Sequence, residues 1–144
     1  MAKRFMVDSS CLIPAASPLH PHHAPALAEI EARLAEGHEL VFAGASLAET
    51  YSVLTRITGA VRLSPANAAR IIESWVEQGT VAALPAEGYR TLHGRASDAA
   101  VAGGRIYDAV IALTAEFVGV DELLTFDARD FTGLSGVPVV VIRL

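Results

Sequence analysis

The chain has 144 residues, 52% of them hydrophobic, one cysteine and a formal net charge of −5, which is enough chain to bury a sizeable core as one domain, 1–144, without disulfides or structural metal. The negative balance argues against a broadly basic nucleic-acid surface and leaves room for a local one. No apolar run approaches the roughly 18–20 residues of a membrane span, and Cys11 lacks a second cysteine with which to pair or to build a soft-metal site. Mean hydropathy is +0.40, a value that calls for buried sheets, an oligomer interface, or both.

Phe5-Met6-Val7 is too short an apolar run for a helix, and Asp8-Ser9-Ser10 follows at once, so a buried strand ending in a polar turn is predicted. An acid this early precludes a signal-peptide core, which predicts a cytosolic protein. Leu12-Ile13-Pro14 then opens a loop carrying Pro18, His20, Pro21, His22, His23 and Pro25. These histidines are too close together and too flanked by proline to share a helical face, so they read as a solvated rim rather than a metal site. Leu27, Ile30 and Leu34 opposite Glu29, Glu31, Arg33 and Glu36 predict an amphipathic helix over 24–36, stopped by Gly37.

Glu39–Ala43 is a second strand, and Gly44-Ala45-Ser46 turns it into a helix over about 47–57. Ser46-x-x-Glu49 matches a capping box, which gives Glu49 a purely structural role to set against any chemical one. Ser64-Pro65 starts another helix with a cap and a first-turn proline. Its stripe of Ile71, Ile72, Trp75 and Val76 reads as core or dimer contact. Thr80–Leu84 is a third strand, stopped by Pro85, and 86–101 a further helix. The glycine hinge Gly103-Gly104 opens a helix whose period runs through Val110, Ile111, Leu113, Thr114 and Phe117, predicting burial nearly all round. Asp108 stands in its first turn, where the helix dipole alone favours an acid. Glu122–Phe126 is a fourth strand followed at once by Asp127, which is suited to capping a short helix. Val137–Ile142 is an edge or late central strand.

Strands alternating with helices imply an α/β fold, a mostly parallel sheet covered on both faces. Ligands of such sheets bind beyond the C-terminal ends of the strands. Asp8 and Asp127 each end a strand, and Glu49 starts the helix leaving another. The Asp108 helix runs antiparallel to the strand it precedes, so its N-terminus points to the same edge. If these strands are neighbours, four carboxylates meet. Two of them 4 Å apart repel by about 4 kcal/mol at an effective dielectric near 20. Hard oxygen donors without His or Cys select Mg²⁺ or Mn²⁺, ions suited to phosphodiester hydrolysis. Gly103-Gly104 matches neither a nucleotide-phosphate loop nor a dinucleotide fingerprint.

Val7-Asp8-Ser9-Ser10-Cys11-Leu12-Ile13, Ser46-Leu47-Ala48-Glu49-Thr50-Tyr51, Ile106-Tyr107-Asp108-Ala109-Val110 and Leu124-Thr125-Phe126-Asp127-Ala128-Arg129-Asp130-Phe131 resemble the four acidic motifs of the PIN-domain nucleases, most of all the VapC-type toxins of type II toxin–antitoxin modules. The resemblance runs from Phe5 to the last strand. It implies a parallel sheet of about five strands with the first one central, which supplies the adjacency. It also implies that Asp8, Glu49, Asp108 and Asp127 form the Mg²⁺ or Mn²⁺ site of an endoribonuclease, with Asp8 and Asp108 as direct ligands and the hydroxyls of Ser10 and Thr125 behind them. A small antitoxin protein is the implied partner. An arginine delivered by it into the four carboxylates would compete with metal.

Arg56, Arg105 and Arg129 each lie near a motif and are candidates for holding RNA phosphates. The apolar excess predicts a homodimer through the helices carrying Tyr51, Val53 and Leu54 and carrying Ile71, Trp75 and Val76. Two other classes compete: a catalytically silent PIN-fold interaction module, which ordinarily lacks one of the acids, and a Mg-dependent phosphatase on small phosphoesters. The haloacid-dehalogenase type of phosphatase expects Asp-x-Asp after the first strand, and Ser10 stands at the second position.

Overall fold

In the computed structural model, which describes residues 2–134 and 136–144, five strands pair in parallel in the order β3-β2-β1-β4-β5. They are β1 (Arg4–Val7), β2 (Glu39–Ala43), β3 (Gly79–Ala82), β4 (Glu122–Thr125) and β5 (Val139–Val141). Parallel neighbours need crossover helices. Those present are α1 (Ser9–Ala16), α2 (His23–Ala35), α3 (Gly44–Arg56), α4 (Pro65–Val76), α5 (Ala86–Asp98) and α6 (Ile106–Val118), with 3₁₀ turns at Gly103–Arg105 and Ala128–Phe131. Because β1 pairs with β2 on one side and β4 on the other, the C-terminal ends of these three strands lie side by side.

The two-residue period of β1 divides the interior. Phe5 and Val7 face a layer built with Leu12, Ile30, Phe42 and Trp75, while Met6 faces a second layer with Val41, Ile111, Leu113 and Leu123. Burial on both faces explains why these strands read as continuous apolar runs rather than alternating ones. Ser64 caps α4 as expected, its hydroxyl accepting the Asn67 N–H at 3.2 Å with Pro65 in the first turn.

Three local expectations are corrected. The stretch read as a polar turn and proline loop is α1: Asp8 caps it by accepting the Cys11 N–H, and Cys11, Leu12, Ala15 and Ala16 are buried. That burial outweighs the cost of Pro14 inside the helix. The capping box of α3 does not form. This helix begins at Gly44, so Ser46 lies within its first turn, buried and without a hydrogen-bond partner, and no side chain caps the end. Glu49 is thereby released from the structural role the box would give it. Finally, α6 is buried from Ala109 through Ala115, but Tyr107 and Phe117 near its ends are exposed.

Trp75, read as core or dimer contact, is packed into the chain's own core together with Leu54, whereas Tyr51 on the same helix as Leu54 is exposed. Among the described residues no helix is long and apolar enough to cross a membrane.

Candidate active site

β1 does not stop abruptly at Val7. The Asp8 N–H donates to Leu124 O at 3.1 Å, continuing the ladder toward β4 and fixing Asp8 at the C-terminal edge of the sheet. Its side chain is buried. Oδ1 accepts from the Ser10 hydroxyl at 2.7 Å and the Cys11 N–H at 3.2 Å, and Oδ2 accepts from the Thr125 hydroxyl at 2.7 Å. Ser10 Oγ accepts in turn from the Phe126 N–H at 3.3 Å, and Thr125 Oγ1 from the Asp127 N–H at 3.1 Å. A hydroxyl has one proton, so accepting from the backbone frees that proton for Asp8. Burial pushes the Asp8 carboxyl pKa upward, and the donors from Ser10, Thr125 and Cys11 pull it partly back. The two hydroxyls expected behind the carboxylates are therefore both in contact with one of them.

Asp108, half-buried in the first turn of α6, has its pKa pushed up to about 7, first by burial and then by the negative charges of Asp130, Asp8 and Glu49, with Arg105 opposing. Three of the four expected acids therefore share one electrostatic site. Asp130 belongs to the same group. Its one mark in the sequence is its place in Asp127-Ala-Arg-Asp130, a motif that carries two acids three residues apart. Asp127 does what a strand-terminal Asp commonly does: its Oδ1 accepts the Arg129 N–H at 2.9 Å and caps the short 3₁₀ turn. The Arg129 guanidinium also pairs with it, Nη2 to Oδ2 at 2.8 Å, and holds its carboxyl down at about 2.

The three arginines separate. Arg129 is engaged by Asp127, and Arg105 donates to the carbonyls of Arg129 at 3.2 Å and Asp130 at 3.4 Å, tying the start of α6 to the turn after β4. Arg56 is exposed and makes no ion pair among the described residues. It lines an open cleft of about 550 Å³ with Ala45, Ala48, Glu49, Ser52, Gly104 and Tyr107. On another side of the site the His22 ring packs on Phe126 at 5.2 Å and against His20 at 5.5 Å, whereas His23 and Pro25, expected in the same loop, lie in the first turn of α2.

Among the described residues no three His, Cys, Asp or Glu side chains close into a ready-made metal cage. What they present instead is hard-oxygen charge drawn from the end of β1, two helices and a turn, together with buried hydroxyls on Ser9, Ser46 and Thr50 that have no partner among the described residues. Polar groups left so call for water. This donor set fits an ion held by one or two carboxylates and several waters, the habit of Mg²⁺.

The family model described as PIN domain matches residues 5–136. Ribonuclease VapC27 of Mycobacterium tuberculosis is 37% identical over 143 residues, covering 94% of both chains. Two solved structures share the fold. M. tuberculosis VapC20, a sarcin–ricin-loop-cleaving toxin, aligns with a TM-score of 0.68 at 15% identity over 89% of this chain and 93% of its own. VapBC-5 of the same organism, from the VapBC family of toxin–antitoxin systems, aligns with a TM-score of 0.58 at 19% identity over 99% of each chain.

Proposed function

Because the chain belongs to the PIN-domain family, we propose that it is a divalent-metal-dependent endoribonuclease, the toxin of a toxin–antitoxin pair. The observation that carries this reading is the gathering of Asp8, Glu49 and Asp130 around Asp108, whose carboxyl is pushed up to about 7 first by burial and then by these like charges, with Arg105 opposing. A carboxyl raised by burial and by neighbouring like charges is one that a divalent cation would ionise. The 37% identity to a ribonuclease over nearly the whole chain supports RNA as the substrate. A phosphatase of the Asp-x-Asp type lacks its second acid here, since the Ser10 hydroxyl instead donates to Asp8. A silent module has no use for an uncompensated cluster.

Asp8 and Asp108 would hold the ion, Mg²⁺ or Mn²⁺, directly, with Glu49 and Asp130 on its waters. When bound, the ion supplies a water of lowered pKa and stabilises charge building on the phosphate. The chain's own part is to keep the reacting groups in place. Ser10 and Thr125 fix both oxygens of Asp8, and Arg105 anchors the turn that carries Asp130 against the start of α6. Arg56 offers a cation to a flanking phosphate, while Arg129 and Asp127 form a neutral pair at the edge. The same anionic edge is where a small antitoxin delivering an arginine would inhibit, in the cytoplasm, on a homodimer.

Purified protein with Mg²⁺ or Mn²⁺ should cut mixed cellular RNA internally, and its Asp108→Asn variant should not. Equal cleavage by both proteins would overturn the assignment.

A further inference from the structure

Gly104, like Gly94 on α5, is a glycine that neither φ nor packing requires, and of the two it is Gly104 that lines the cleft beside the carboxylates. Gly103 has φ +59°, a conformation that favours glycine, but Gly104 has no such φ, and a Cβ built on it would meet nothing within 4 Å. Neither the turn nor packing requires it. Gly104 lines the cleft between α3 and the start of α6, with open space around it. Facing the same space is Tyr107, 58% exposed, its hydroxyl without a partner among the described residues. Like Phe117 at the far end of α6, Tyr107 leaves a large ring in solvent and forfeits apolar burial, and Tyr107 does so one residue before Asp108. Across the cleft stands Arg56, and Glu49 joins the cleft to the carboxylate cluster. An aromatic plane, a cation without a carboxylate partner and an opening kept clear by a glycine form the constellation that holds one unstacked nucleotide: ring on base, guanidinium on phosphate.

We infer that this cleft seats one base of the RNA strand, stacked on Tyr107, with Arg56 on its phosphate, and so positions the neighbouring phosphodiester at the carboxylates. The inference rests on the ribonuclease reading and adds the place where the substrate is gripped. Stacking accepts any base, so the seat contributes affinity and register more than sequence choice. The Tyr107 hydroxyl has no part in it, which sets the seat apart from a hydrogen-bonding role.

The test is fluorescence anisotropy of a 5′-labelled, mixed-sequence single-stranded RNA 10-mer in EDTA, where no cleavage occurs. Tyr107→Ala should weaken binding about ten-fold and Tyr107→Phe should not. Gly104→Leu, which the open surroundings of Gly104 allow to fold, should weaken it comparably by filling the cleft. Arg56→Ala should lower the slope of log affinity against log salt by about one. Tyr89→Ala, an exposed tyrosine on α5, is the control that should change nothing. Unchanged affinity in Tyr107→Ala and Gly104→Leu would overturn the seat while leaving the ribonuclease intact, provided the wild type cleaves RNA with metal. Equal loss in Tyr107→Phe and Tyr107→Ala would also overturn it. If the wild type neither binds nor cleaves, both readings fail together. Weakening of self-association rather than of RNA binding in these variants would assign the cleft to a second copy of the chain and reject the base.

Discussion

The two ends of the sheet are both rich in acids and treat them in opposite ways. At the N-terminal end, Arg33 lies between Glu29 at 2.7 Å and Glu122, with its guanidinium 5.8 Å from the Phe5 ring centroid. Asp121 accepts the Arg4 N–H at 2.8 Å, and the Arg4 guanidinium donates to the carbonyls of Val118 and Gly119. Glu36 pairs with His38 at 3.1 Å. Glu29, Glu36, Asp121 and Glu122 there each have a donor, as folding alone would demand. At the C-terminal end Asp8 is answered by hydroxyls and an N–H, while Asp108, already raised by burial, faces the negative charges of Asp130, Asp8 and Glu49 with Arg105 opposing. Acidity by itself therefore identifies nothing. Unanswered acidity at the edge where parallel sheets bind ligands does.

The sharpest break in this contrast comes from single carboxylates. Asp8→Asn and Asp108→Asn should each lower metal-dependent RNA cleavage more than about a hundred-fold, with a native circular dichroism spectrum, whereas Glu122→Gln should leave the cleavage rate unchanged. Removing the supports of Asp8 comes next. Ser10→Ala and Thr125→Val should each cost about 10- to 100-fold in rate or metal affinity, read by the same assay and by Mn²⁺ titration. At the opposite end, Arg33→Met leaves Glu122 without its partner and should lower stability by about 1–3 kcal/mol in urea unfolding, with activity per folded molecule untouched.

A pH dependence sharpens the comparison further. Asp108 rises from an ordinary 3.8 to about 7, so between these values the native state binds protons that the unfolded chain has released. Stability of the metal-free protein should therefore fall as pH rises through that window. Asp8 acts in the same direction. Asp108→Asn should flatten the fall, and saturating Mg²⁺ should reverse it, both visible as melting temperatures between pH 5 and 8. The smallest effect is expected from Arg129→Ala: Asp127 should move from about 2 toward the usual carboxylate range, read by NMR titration.

How legible all this is from sequence varies with the physics involved. Short apolar runs and glycine stops locate every strand to within a few residues; for β1, β2 and β4 burial on both faces leaves a strong signal, whereas the half-exposed edge strands β3 and β5 are marked by β-branched residues and by the Pro85 stop after β3. Adjacency of β1 and β4 is not contained in those runs and came from the family resemblance. Local capping rules misled where tertiary burial competes with them: Ser46 is drawn into the interior rather than onto the helix end, and α1 forms over Pro14 because four of its residues close the core. Asp8 and Asp108 were readable as strand-end and helix-start acids. Asp127 and Asp130 were not separable, since which of two acids three residues apart faces the cluster is decided by the turn and by Arg129, whose partner no periodicity reveals.

The central claim is that the unpaired carboxylates, not acidity in general, hold the catalytic cation. Isothermal titration with Mn²⁺ at constant ionic strength, run on the wild type, Asp108→Asn and Glu122→Gln, tests it most directly. The account predicts that the wild type and Glu122→Gln bind alike and that Asp108→Asn binds at least about ten-fold more weakly. The same affinity in all three proteins would contradict it.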